Sequence, residues 1–484
     1  MNCIIFKKMT NKLIQNSIVF FFTILFGFFL FSQLQDGKWW LISMPIIISL
    51  VTFFSFRLDK LLILIILCAP LSLSLGELGF FVENTDISFP TEFLLFALTC
   101  VVFFKIIYTP HFFEKIFTNK ITFFLLAYLV WMLVCSITST MPLVSLKLFL
   151  TRIWFLIPCF VFSSLIFYEN HKRITHFILV YCLSFSIVII HTLIKHSSYN
   201  FSGPSSNWVV TPFFDDHTSY GAMLAFFIPI LFLFFKSSKI NKVTRLISFF
   251  CFSLFLIALI YSYTRAAWVS LFGAVILGFL IRLKFKPKHF IVSIFLLLII
   301  LFPFRSDVFS ILTENKQDSS SSFTEHIQSI YNIKSDASNM ERINRWKCAI
   351  SMFKEKPILG YGPGTYQFHY GVFQNHKDKT IISTNSGDMG NAHSEYLGAL
   401  SETGLIGLLL FLILIITIFY KGIVLYNNEK NELFKIYLLG SIIGLMTYFI
   451  HGFFNNFLDM DKAAIPLWFF VAIIVSIEMK KVRT

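Results

Sequence analysis

The feature that most constrains this chain is a succession of long apolar blocks, several close to the roughly 20 residues a helix needs to cross a bilayer. Such blocks can span lipid only if every backbone N–H and C=O is satisfied within the segment, which points to α-helix. Charged residues supply 14% of the 484 positions, hydrophobic residues 56%, and mean hydropathy is +0.74. A soluble chain of this length needs far more charge to cover its surface. Spanning segments are expected at about 17–33, 39–56, 61–75, 93–108, 121–138, 142–167, 174–194, 218–236, 246–263, 267–283, 289–304, 396–420, 434–452 and 463–479. The fold class is therefore all-α, a polytopic transmembrane helical bundle of 12–14 helices, with residues 305–395 forming one large loop that itself contains a helix.

The net charge of +14 has a topological explanation. With the N-terminus inside and the segments alternating, the inner connections hold 24 Lys and Arg, and the short outer ones hold 4: Lys38, Lys195, Arg265 and Lys462. That bias fixes orientation by the positive-inside rule, puts both termini in the cytoplasm and turns the long loop outward. Nucleic acid is not needed to account for the basicity. Lys7, Lys8 and Lys12 precede the first apolar run as in a signal peptide, but no small-x-small cleavage site follows, so the run reads as a retained helix. Of the eight cysteines, six lie in apolar blocks and only Cys348 lies in the long loop, so neither a disulfide framework nor a metal cluster is implied.

Within the loop, Ser338 and Glu341 have capping-box spacing, and Ile343, Trp346, Ile350 and Phe353 recur at helical intervals as an apolar face. Lys356-Pro357 and Gly360 end that helix, and Gly360-Tyr361-Gly362-Pro363-Gly364 follows.

Six places carry groups capable of chemistry. Arg265, between two apolar segments at the outer face, is either a side chain snorkelling to lipid headgroups or a planar fork for a lipid-linked phosphate. Arg152 falls about ten residues into its segment, where an arginine is either ion-paired or functional. Arg342 and Arg345 share a face of the loop helix, as a solvated surface or as a second cationic wall. Asp215, Asp216 and His217 precede an outer helix start; an aspartate there caps the helix, and His217 suits a sugar hydroxyl. Asn391 and His393 stand where the loop re-enters the membrane, and a histidine there can take a proton from a hydroxyl. His451, Asn455, Asn456, Asp459 and Asp461 cluster in the last outer turn, to bind sugars, to order the site or simply to meet water. No set of His, Cys and carboxylates has metal-ligand spacing, and no phosphate-binding nucleotide loop occurs.

Four pieces in order resemble the O-antigen ligase superfamily, which also contains O-antigen polymerases and protein O-oligosaccharyltransferases. They are Phe213-Phe214-Asp215-Asp216-His217-Thr218-Ser219-Tyr220-Gly221; Thr264-Arg265-Ala266-Ala267-Trp268; Arg342 to Trp346 followed by Pro357 to Gly364; and His393-Ser394-Glu395-Tyr396-Leu397 followed by Glu402-Thr403-Gly404-Leu405-Ile406-Gly407. The resemblance covers roughly Phe201 to the C-terminus. It implies a bacterial inner-membrane enzyme with a large periplasmic loop over its site. That enzyme moves a glycan from undecaprenyl diphosphate to a hydroxyl, in the ligases one on the lipid A-core oligosaccharide, without a cofactor or metal. Carried over by motif, His393 becomes the general base and Arg265 a diphosphate ligand, with Arg152, Arg342, Arg345, Asp216, His217 and Asn391 as substrate-binding candidates. A polymerase joining lipid-linked repeats, or a protein glycosyltransferase, would use the same residues with another acceptor. A transporter would instead place paired carboxylates in its spans, and these spans contain almost none.

Overall fold

The structure, a computed structural model, describes residues 57–78, 87–284, 337–379, 383–384 and 390–481. The chain divides into two units, Met1–Leu61 and Leu62–Thr484, and the second carries the bundle and the site. Ten helices among the described residues are long and apolar enough to cross a membrane. In chain order the helices are α1 (Leu58–Cys68), α2 (Thr91–Tyr108), α3 (Pro110–Phe117), α4 (Lys120–Ile137), α5 (Pro142–Leu156), α6 (Ser163–Glu169), α7 (Lys172–Ser197), α8 (Ser206–Val209), α9 (His217–Lys236), α10 (Lys242–Tyr261) and α11 (Arg265–Arg282). After them come α12 (Ala337–Glu355), α13 (Tyr366–His369), α14 (Glu395–Asn428), α15 (Glu432–His451) and α16 (Asp461–Lys481). A π-helical turn at Ile157–Phe162 joins α5 to α6, making one span, Pro142–Glu169. The only strands among the described residues are the pair Leu73–Ser74 and Ser88–Phe89.

These are the expected spans with one correction. The block at 61–75 does not continue as a spanning helix: α1 ends at Cys68, and a 3-10 turn holding Pro70 and then a strand take over. Proline cannot donate to the helix ladder and clashes with the preceding turn, so apolarity alone did not set the element's length. The segments expected at 17–33, 39–56 and 289–304 lie outside the described residues.

Short polar side chains start the helices at both faces of the bundle. Asn119, Asp216, Asn241, Ser394 and Asn431 each accept a hydrogen bond from a backbone N–H of the first turn of α4, α9, α10, α14 and α15. α16 is buried almost all round, from Asp461 to Met479, as befits a helix that is apolar on every side. Phe470 of α16 packs on Phe226 of α9, with ring centroids 4.5 Å apart. Gly440 and Gly444 on α15 let that helix approach α9 closely, because a Cβ at either would collide with Ile230 or with Phe226 and Phe470. This is the small-residue seam by which helices associate in lipid, where no hydrophobic driving force exists between them.

The second half of the loop is bolted to the bundle. Gly362 N donates to Glu402 O (2.9 Å), Tyr361 N to Ser401 O (3.0 Å), and Tyr366 N to the Glu402 carboxylate (3.1 Å). Tyr361 O in turn accepts from Thr140 N (3.1 Å), Thr140 Oγ1 (2.9 Å) and Ser139 Oγ (3.1 Å). The glycine-rich stretch is thus a dock between α4–α5 and a kink in α14 at Gly404, whose φ is +68°. Gly362 has φ +109°, and a Cβ there would overlap Ser139. Gly362→Ala is therefore expected to cost roughly 2–4 kcal/mol, from strained backbone plus overpacking. Thermal unfolding in detergent reads it, and a melting temperature equal to wild type would show that the dock is dispensable.

The loop helix α12 buries the expected Ile343, with Trp346 and Phe353 half-buried, but centres its core on a neighbouring face. Its core contacts come from Cys348, Ala349 and Met352, packed with Tyr361, Tyr366, Tyr370 and Ala392, while Ile350 is exposed. Three tyrosines supplied by residues 361–370 cover a helix face that sequence periodicity reads as polar. The Arg345–Glu341 ion pair of α12 is internal to the loop, its two side chains being 5% exposed.

Candidate active site

Two helix starts meet at the loop end of the bundle. Asp216 has extended backbone and caps α9: its Oδ1 accepts from Thr218 N, Ser219 N and Thr218 Oγ1, each at 2.7 Å. Burial would raise this carboxyl, but the hydrogen bonds from Ser219 and Thr218 outweigh it and hold the group below its usual value. Just before α11, Thr264 Oγ1 donates to His217 O (2.7 Å), and Gly221 leaves the room, since a Cβ there would meet Thr264. The starts of α9 and α11 are thereby locked side by side, which sets Arg265, the first residue of α11, next to the Asp216-His217 corner.

The loop helix adds a second guanidinium. Arg342 Nε donates to Phe454 O (3.2 Å) in the last outer turn. Burial, and then the charge of Arg265, pull the Arg342 pKa down to about 10, while Asp216 works in the opposite direction. Arg342 therefore keeps its charge at neutral pH, in a place where two guanidiniums and one carboxylate come together. Arg345, three residues on, has another surrounding. Its Nε donates to Glu341 Oε1 (2.6 Å). Its guanidinium lies 3.8 Å over the Tyr370 ring, and Nη2 donates to Thr384 Oγ1 (2.9 Å). Ser383 completes the shell of Glu341. Spacing alone put the two arginines on one wall; the i, i+4 glutamate and the tyrosine draw Arg345 into the loop core.

His393 sits at a bend. The Asn391 side chain accepts from His393 N (3.0 Å), His393 has φ +46°, and Ser394 then caps α14. Trp346 Nε1 of α12 donates to His393 O (3.2 Å), which ties the bend to the loop helix. The imidazole Nδ1 lies 3.4 Å from Asn455 Oδ1. Burial first, then the charges of Arg342 and Arg345, push the His393 pKa down to about 4, so the ring is neutral at physiological pH. Arg342 links the parts: His393 feels its charge, and it feels that of Arg265.

Arg152 reaches the same outer turn from α5. Nη2 pairs with Asp459 (2.7 Å) and Nη1 donates to Leu458 O (3.0 Å). The turn itself is organised by Glu395, which sequence reasoning passed over. Its buried Oε1 accepts from Tyr448 OH (2.6 Å), Phe457 N (2.8 Å) and Leu458 N (3.1 Å), and its own N–H donates to Gly452 O (2.9 Å). In the sequence, an acidic residue in the first turn of a helix reads as a complement to the dipole. The only further signal was its place two residues after His393.

The arrangement gathers a neutral imidazole, two half-buried cations and a capping carboxylate at one face of a helical bundle. Such a set can stabilise a developing diphosphate charge and accept a proton from a weakly acidic hydroxyl. Residues 250–412 match the family model of the O-antigen ligases, a stretch that includes Arg265, Arg342, Arg345 and His393. No curated protein matches the chain.

Proposed function

We propose that this chain, whose residues 250–412 match the O-antigen ligase family model, is such a ligase: it transfers an O-antigen glycan from undecaprenyl diphosphate to a hydroxyl of the lipid A-core oligosaccharide. The coarser function, glycan transfer of the O-antigen ligase and polymerase type by a multi-pass membrane protein, follows from that match and the ten spans. The observation that supports transfer from a diphosphate-linked donor is the convergence of Arg265, Arg342 and His393 from three separate elements on one site, and the ligase acceptor is preferred because the matched family model is that of the O-antigen ligases. The acceptor oxygen attacks the anomeric carbon as its proton passes to His393. The bond from that carbon to the diphosphate breaks, and the electron pair leaves with the diphosphate, whose charge Arg265 and Arg342 stabilise. Both substrates are amphiphiles, which suits a site where loop and bundle meet. In this reading the membrane is the bacterial inner membrane, with the site on the periplasmic side and the C-terminus cytoplasmic, as the excess of Lys and Arg on the inner connections of the described spans favours.

Lipopolysaccharide from a deletion strain separates the members of the superfamily. A ligase mutant makes only uncapped core. A polymerase mutant keeps core bearing one repeat, and that pattern would replace the ligase reading with the polymerase. Unchanged lipopolysaccharide would overturn both.

A further inference from the structure

We infer that Asn455, backed by His451, is a positioning residue that holds His393 in the tautomer protonated at Nδ1 and so makes Nε2 the basic atom. The inference rests on the reading of His393 as the base. Asn455 is buried in the last outer turn, 62 residues along the chain from His393. Its amide has two chemically distinct ends. Nδ2 lies 3.1 Å from His451 Nε2; an amide nitrogen can only donate, so His451 Nε2 accepts. That leaves Oδ1 toward His393 Nδ1, at 3.4 Å, and an amide oxygen can only accept. Nδ1 of His393 therefore carries the hydrogen, and the lone pair that takes a proton is on Nε2. His451, 1% exposed at the end of α15 and packed on Phe457, stands at the nitrogen end of the amide.

The turn does not depend on the Asn455 side chain. Glu395 holds its backbone at Phe457 and Leu458, and Asn455 N donates to His451 O (3.2 Å) whatever its side chain. Substitution at 455 thus addresses the imidazole. A wrong tautomer puts a hydrogen where the base needs a lone pair, and so forfeits much of what general-base catalysis supplies.

The test compares two substitutions of nearly equal shape. Asn455→Leu removes the acceptor, and kcat is expected to fall about 10²-fold, with KM for the lipid-linked donor within about twofold of wild type. Asn455→Asp keeps an oxygen facing Nδ1, and kcat is expected to stay within about tenfold of wild type. On a His393→Ala background, Asn455→Leu is expected to add no further loss, because the group it positions is gone. The idea is overturned if Asn455→Asp loses as much as Asn455→Leu, or if Asn455→Leu slows the His393→Ala variant as much as it slows the wild type. Full activity of His393→Ala alone is a different result: it removes the base reading on which this one rests.

Discussion

His393→Ala is expected to lower kcat for glycan transfer by about 10²–10⁴-fold, the usual contribution of a positioned base, with the protein still inserted in the membrane. The measurement is transfer from a lipid-linked glycan to purified acceptor by enzyme in detergent or liposomes. Wild-type rates for that variant would sink the mechanism. The depressed pKa of His393 adds a signature in pH. Transfer needs the neutral ring, so the rate rises with pH through that pKa, and for the free enzyme, read by kcat/KM, the acid limb lies near 4. A bound diphosphate offsets the charge of Arg342, one of the groups that holds the pKa down. Binding the donor therefore makes His393 a stronger base, and the acid limb of kcat is expected above that of kcat/KM. Coincident limbs would show that donor and base are not electrostatically coupled.

The second large effect concerns the two cations. Arg265→Met and Arg342→Met are each expected to cost about 10²–10³-fold in kcat, the scale seen when one preorganised group facing a developing negative charge is removed. Arg265→Lys should recover only part, since an ammonium is a point charge without the planar fork. The two positions differ in a second observable. Arg342 lowers the His393 pKa, so Arg342→Met should also move the acid limb of kcat/KM upward. A drop in kcat with no movement of the limb would place Arg342 away from the base. Arg345→Met is predicted to act otherwise: it strands the buried Glu341 carboxylate, so lost stability of the loop should dominate, about 3–5 kcal/mol for breaking a buried pair.

What the amino-acid order alone determined about this protein is whatever the bilayer imposes on any chain. Lipid offers no hydrogen bonds and has a fixed thickness, so spanning helices announce themselves as apolar runs of a set length, and every described span but the block at 61–75 appears where the apolar runs place it. The helix start at Asp216 was legible for the same local reason, since a cap and the N–H groups it satisfies lie within three residues. Local rules stop there. Arg342 and Arg345 are equivalent by spacing, and only the tyrosines of residues 361–370 and the pairing with Glu341 separate them. Glu395 looks like a dipole complement until the turn after α15 folds back onto it. Asn455 reads as a loop residue until it faces His393 across 62 residues of chain. The contacts that turn these residues into a site join helix ends far apart in sequence. Which ends meet at the membrane face is decided by the packing of α9, α15 and α16 and by the glycine dock on α14, where shape and close approach count and residue spacing does not.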